Sequence, residues 1–200
     1  MTIKKLLEEI IRQELFFLKE EVDGTMKFWH GGDLSSSSLD NSYEFSQKKG
    51  RYEYGPGLYL TTHYDTAKKY AKGSRKLYVV TVAPGVDLRK SFIDMSSIED
   101  FVNQYVKPKL KQEILDALET RSENGKIRAS VFSNYVLNLN AITPSKTGAL
   151  RQFFIDKGID YEVVSNAFGW GEKMLVLFNM NKIIDTKQIG PKDEENYKDF

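Results

Sequence analysis

The sequence predicts an α+β domain, on three observations. Short runs rich in β-branched and aromatic residues lie near both ends, at 25–31, 58–62, 76–82, 158–164, 172–179 and 182–189. A block of about sixty residues, 96–157, separates the two groups and carries apolar residues at helical rather than alternating spacing. Two hundred residues that are 40% hydrophobic suit one domain with a sizeable core, 1–200.

In chain order, Ile3, Leu6, Leu7, Ile10, Ile11, Leu15 and Leu18 form the apolar stripe of an amphipathic helix over 2–22. Asp23-Gly24 turns the chain into Thr25-Met26-Lys27-Phe28-Trp29-His30-Gly31, a short strand ending on a histidine beside a glycine pair. Residues 34–54 keep no period and hold four successive serines, three tyrosines and the basic run Lys48-Lys49-Gly50-Arg51. A segment this long without regular structure is either a surface insertion or the cover of a ligand. Gly55-Pro56-Gly57 is a stiff turn, Leu58-Tyr59-Leu60-Thr61-Thr62 a strand, and Asp65 or Thr62 the expected cap of a helix bearing Ala67, Tyr70 and Ala71. Lys76 to Val82 reads as a central strand, and Val86-Asp87-Leu88 adds an extended segment.

The helical block begins with Ser96 or Ser97 as cap and the stripe Ile98, Phe101, Val102, Tyr105, Val106, Leu110, Ile114, Leu118, bent at Pro108. Further helices are expected over 129–139 and 146–157. Lys107, Lys109 and Lys111 alternate with other residues and read as a solvated face. Gly158 stops the last helix ahead of a strand; 165–171 is a loop with Phe168 and Trp170; and Glu172 opens a strongly apolar strand. The next run, from Lys182 to Ile189, is expected to fold back on it as a hairpin through Met180-Asn181, and 190–200 to fray.

Composition excludes several classes. Lys plus Arg at 29 against Asp plus Glu at 28 gives a net charge of +1, so no global field draws in nucleic acid or an anionic membrane. Without cysteine there is neither a disulfide nor a thiolate, and His30 and His63 alone make a histidine-rich metal site implausible. No apolar run approaches the ~18 residues of a membrane span, so the expectation is a monomeric cytoplasmic protein with no metal and no membrane partner.

The chemistry-bearing residues come in a fixed order. Phe28-Trp29-His30-Gly31 ends the first strand; Gly55-Pro56-Gly57-Leu58-Tyr59-Leu60 leads through Ala67 to Tyr70, eleven residues after Tyr59; Glu172 opens the late apolar strand. On residue type alone the two tyrosines either fill core or sandwich a flat heterocycle. In this order and spacing the set resembles the ADP-ribosyltransferases of the His-Tyr-Glu class, which includes the catalytic domains of diphtheria toxin and the poly(ADP-ribose) polymerases and many bacterial and phage effectors. The resemblance spans about 25–189, with the helical block its most divergent part.

That resemblance implies two packed, mostly antiparallel sheets forming a cleft for NAD, surrounded by helices. It implies NAD as substrate, loss of nicotinamide through a transition state with oxocarbenium character at C1′ of the ribose, and attack by an acceptor on that carbon. The Gly31 backbone would bond the nicotinamide carboxamide and Tyr59 and Tyr70 would stack on its ring, with Gly57 and Thr61 also against the cofactor. His30 would hold a hydroxyl of the adenosine ribose. Glu172 would bind the 2′-hydroxyl of the nicotinamide ribose and stabilise the developing cation, making Glu172, Tyr59 and His30 the catalytic set. Where the polymerases have a serine three residues before the helical tyrosine this chain has Ala67, which leaves the carboxamide to Thr61, Thr62 or the backbone. The loop with Phe168 and Trp170 would face the acceptor. The expected activity is mono-ADP-ribosylation of a macromolecule, protein rather than nucleic acid, by a phage or toxin effector acting in a host cytoplasm. The alternatives are an NAD glycohydrolase with water as acceptor and a catalytically silent binding module of the same shape.

Overall fold

The computed structural model describes residues 24–35, 39–41, 54–72, 76–167, 171–190 and 193. The predicted helix over 2–22, most of the 34–54 segment, the tail, and Phe168 and Trp170 lie outside the described residues.

The chain is α+β. Six strands, β1 (Met26–Gly31), β2 (Leu58–Thr61), β3 (Leu77–Val82), β6 (Tyr161–Ser165), β7 (Lys173–Leu177) and β8 (Ile183–Ile189), form one sheet in the order β6-β7-β2-β1-β3-β8. Every neighbouring pair in it is antiparallel. Helix α1 (Tyr64–Tyr70) follows β2. Between β3 and β6 come β4 (Phe92–Asp94), α2 (Met95–Tyr105), α3 (Lys111–Glu119), β5 (Lys126–Arg128), α4 (Ala129–Asn138) and α5 (Thr147–Asp156). β4 and β5 pair only with each other, so among the described residues the second sheet is a two-stranded ribbon. Where two packed sheets are expected, helices supply the layer. Ile98, Phe101, Ile114, Leu118, Phe132, Val136, Leu150 and Phe154 share one core with Val164, Met174 and Val176 of the sheet. Its rings run from Phe101 to Phe132 (5.5 Å) to Phe154 (6.4 Å) to Phe178 (5.1 Å), tying α2, α4 and α5 to the chain just past β7. Each such ring removed from water is worth about 1.5–3 kcal/mol, so this block is held by packing more than by helix propensity.

Period-two alternation sorts the strands' other residues. Phe28, Leu58, Leu60, Tyr78, Val80, Leu175 and Leu177 form a core on one face, with Leu34 and Leu39 packed against it. Trp29, Leu77 and Val79 face the other way and are covered by Ala67 of α1 and by Ala71 just past its end.

Four local expectations are corrected. β8 does not pair with β7: β2 and β6 occupy both edges of β7, and the chain crosses the end of the sheet through a 3-10 turn (Met180–Lys182) to pair with β3. The helix expected to bend at Pro108 is two helices, because the residue before a proline is pushed out of the helical region and Lys107 sits at φ −57°, ψ 132°. α2 starts at Met95 on Asp94, with neither serine as cap. Finally, α1 begins on His63 with no side-chain cap; Thr62 is drawn away from that role because its hydroxyl accepts the Lys173 amide at 3.0 Å.

Candidate active site

The sheet order brings the first strand, the second and the late one side by side. Thr61 pairs with Trp29 of β1 and with Met174 of β7, so one row crosses three strands. His30 lies one residue past that row on β1, Tyr59 two residues before it on β2, and Glu172, just ahead of β7, two residues before Met174. Because the strands are antiparallel, Tyr59 and His30 lie on one side of this row and Glu172 on the other: Tyr59 pairs with Val176, so about 13 Å of strand, at ~3.3 Å per residue, separates its level from that of Glu172.

β1 and β2 are hardly joined. β1 pairs with β3 from Met26↔Val82 through to Gly31↔Leu77, but with β2 only at Trp29↔Thr61. Beyond that pair the ladder stops, and the His30 imidazole spans the opening: Nδ1 lies 3.0 Å from the Tyr59 carbonyl. A carbonyl only accepts, so Nδ1 carries the hydrogen and Nε2 of the neutral ring is left as an acceptor. Burial, partly offset by this bond, pushes the His30 pKa below its ordinary 6.5. Its ring sits 6.4 Å from that of Tyr78, on the face opposite Tyr59. Gly32 donates its amide to Lys76 of the β3 side, so by strand alternation the amide and carbonyl of Gly31 point toward β2, where pairing has ended. Gly31 is also where α1 presses on the sheet: a Cβ there would stand 1.8 Å from the Ala67 carbonyl oxygen. Ala67, where the resemblance has serine, is part of that close approach.

Tyr59 is half-buried beside the helical core. Its hydroxyl donates to the Gly55 carbonyl at 3.0 Å and accepts the Tyr54 amide at 3.2 Å, so the Gly-Pro-Gly turn fixes the ring. Gly57 packs against β7, a Cβ there standing 2.6 Å from the Leu177 carbonyl. Tyr70, the last residue of α1, is 63% exposed.

Glu172 is 3% exposed at the mouth of β7. Thr61 Oγ1 donates to its Oε1 at 2.5 Å, and Thr66 Oγ1, from the first turn of α1, to its Oε2 at 3.2 Å. The His63 amide donates to Thr61 Oγ1 at 3.0 Å, leaving that hydroxyl's hydrogen for the carboxylate. Asn166 ties together described residues on either side of 168–170: its amide donates to the Glu172 carbonyl at 2.6 Å, and its Oδ1 accepts the Gly171 amide at 2.9 Å. Asn166 takes φ +58°, which asparagine tolerates. Sequence reasoning singled out Glu172 and Thr61 but missed Thr66. The available signal was a β-branched hydroxyl residue, poorly suited to a helix, in the first turn of α1.

Among the described residues no group of three or more His, Asp or Glu side chains is arranged to hold a metal, and no helix is long and apolar enough to cross a membrane.

No family model matches the chain, and no curated protein matches it. A solved structure described as the crystal structure of an anti-CRISPR protein aligns with 82% of this chain and 96% of its own, at 11% identity and a TM-score of 0.40.

Proposed function

We propose that the protein is a mono-ADP-ribosyltransferase that moves ADP-ribose from NAD to a macromolecular acceptor and releases nicotinamide. One observation carries the proposal: β1 and β2 pair only at Trp29↔Thr61, which leaves Gly31, His30 and Tyr59 about the unpaired stretch on one side of that pair, while on its other side Thr61 itself holds the buried carboxylate of Glu172. On this reading the fold is an ADP-ribosyltransferase core whose cleft lies within a splayed sheet rather than between two sheets.

The chain's own groups suit the chemistry. An amide and a carbonyl from Gly31, directed into the opening, match the donor and acceptor pair of a carboxamide. The ring of Tyr59, fixed through its hydroxyl, offers a pre-oriented face for a heterocycle. His30, with Nε2 as acceptor, suits a ribose hydroxyl donor. Glu172 supplies negative charge in a water-poor position, where it stabilises an oxocarbenium-like centre far better than an exposed carboxylate can. Two hydroxyl bonds leave each carboxylate oxygen a second accepting position for a ribose hydroxyl.

The test is nicotinamide release from NAD by the whole chain, with and without cell extract, followed by protease or nuclease treatment of any labelled product. Label that appears in extract and is lost to protease supports transfer to protein; loss to nuclease moves the acceptor to nucleic acid. Free ADP-ribose alone, at equal rates with and without extract, makes the protein an NAD glycohydrolase. No nicotinamide release under either condition makes the site catalytically silent.

A further inference from the structure

We infer that Thr66 is a positioning residue for Glu172: with Thr61 it fixes the plane of the carboxylate, and turnover depends on that orientation. The inference rests on the transferase reading of the site.

A glutamate reaches its functional position through three rotatable bonds, and a single hydrogen bond to one oxygen leaves the carboxylate free to turn about the last of them. Here each oxygen has its own hydroxyl donor, from a different element. Thr61 lies in β2, is 6% exposed and pairs on both sides. Its hydroxyl is oriented in turn, because its oxygen accepts the His63 amide and its hydrogen goes to Oε1. Thr66 approaches from α1 and meets Oε2 at the longer distance of 3.2 Å. One oxygen is thus anchored to the strand and the other to the helix, and two anchors define a plane where one defines only a point. α1 is itself seated on Gly31, the residue whose backbone faces the opening, by a contact that no side chain could enter. Thr66 therefore refers the carboxylate to the same rigid body that sets the β1 side of the site. Placement to within about half an ångström by such supporting bonds is what separates an active constellation from one merely present.

A helix-to-strand staple of purely structural use makes a different prediction. Removing the hydroxyl would then lower stability without a separate effect on the chemical step. The discriminating experiment uses the full chain with Thr66→Val, which keeps shape and removes the hydroxyl, and Thr66→Ser, which keeps the hydroxyl and removes the methyl. Steady-state nicotinamide release from NAD and thermal unfolding are measured for both. The expected result is a roughly tenfold lower kcat for Thr66→Val with KM for NAD within about twofold of wild type, and recovery of kcat to within about twofold in Thr66→Ser. Thr66→Ala, which introduces no apolar branch beside the carboxylate, reads the same quantity if the valine variant does not fold. Wild-type kcat in the folded valine or alanine variant, equal loss in the serine variant, or a loss confined to KM overturns the inference and leaves the transferase reading standing. A wild-type chain that releases no nicotinamide overturns both.

Discussion

Strand β7 has a buried ionic side chain at each of its ends, and the two are held in opposite ways. At its start Glu172 is met by hydroxyls alone, one per oxygen. Past its far end Arg151, 2% exposed, donates from Nε to the Phe178 carbonyl at 2.6 Å and from a terminal nitrogen to Asn41 Oδ1 at 3.0 Å. Asn41 Oδ1 also accepts the Met180 amide at 2.7 Å; its amide nitrogen donates to Asn179; and Asn179 donates to Asp160, which also accepts the Val86 amide at 2.9 Å. Burial lowers the Arg151 pKa to about 10, still far above neutral pH. The Arg151 end is a cross-linked amide network that joins residues 41, 86, 151, 160 and 178–180. The Glu172 end keeps accepting capacity next to Thr61, the residue of β2 through which β1 and β2 make their single pairing. Equal burial thus goes with a cross-linked network at one end and with unused accepting capacity at the other; under the proposed function it is that capacity that serves the chemistry.

Substitutions at the two ends should consequently dissociate. The largest effect is expected for Glu172→Gln: nicotinamide release falls by about 10²–10³-fold, since the charge that the transition state needs is gone, while the threonine hydroxyls can turn to accept from the new amide and stability changes by less than about 1 kcal/mol. Arg151→Met is expected to do the reverse. It leaves a carbonyl and Asn41 short of donors, lowering unfolding free energy by about 2 kcal/mol in urea titration while kcat stays at the wild-type value. A stability loss in the first or a turnover loss in the second of comparable size would erase the distinction. Next in size, Tyr59→Ala should weaken NAD binding by about tenfold, as expected for one lost aromatic face, measured as the Kd by titration calorimetry. Equal binding by Tyr59→Ala and wild type would remove the tyrosine from the ligand.

The smallest expected effect is on pH dependence. His30 has a folded pKa below its ordinary 6.5, so the unfolded chain binds the proton more readily than the folded one. Its contribution to stability is fully present above about 6.5 and is lost as pH falls from there toward the lower folded value. His30→Asn should flatten that part of the stability profile in urea titrations between pH 7.5 and 5. A wild-type profile that rises on acidification through this window contradicts the assigned neutral, Nδ1-protonated ring.

The helical block was legible because helix periodicity is local: Ile98, Phe101, Val102, Ile114 and Leu118, read as one stripe, are all buried. So were β3, whose first four residues, Leu77 to Val80, form an unbroken apolar run, and the stop at Gly158, which takes φ +71°. Pairing was not legible, since Ile183–Ile189 carries the same apolar signal whichever edge it joins, and the edges of β7 are claimed by strands more than a hundred residues earlier or just before it. Of the site, the order of His30, Tyr59 and Glu172 could be read, but not the side chains that address them. The partners of Glu172 lie 111 and 106 residues away, and the role of Thr61 depends on its occupying the row that joins three strands. The Tyr59 hydroxyl turned instead to its own turn, a local contact that the Gly-Pro-Gly stretch made possible.

The central claim, that the β1–β2 opening and Glu172 together cleave NAD and transfer its ADP-ribose, is tested most directly with NAD labelled in the adenine ring. Wild type and Glu172→Gln are each incubated with it in cell extract, with nicotinamide release followed in parallel. Macromolecular label and nicotinamide are expected from the wild type, and neither above background from the variant at equal folded concentration. Label and nicotinamide at the same level from both proteins, or from neither, would contradict that claim.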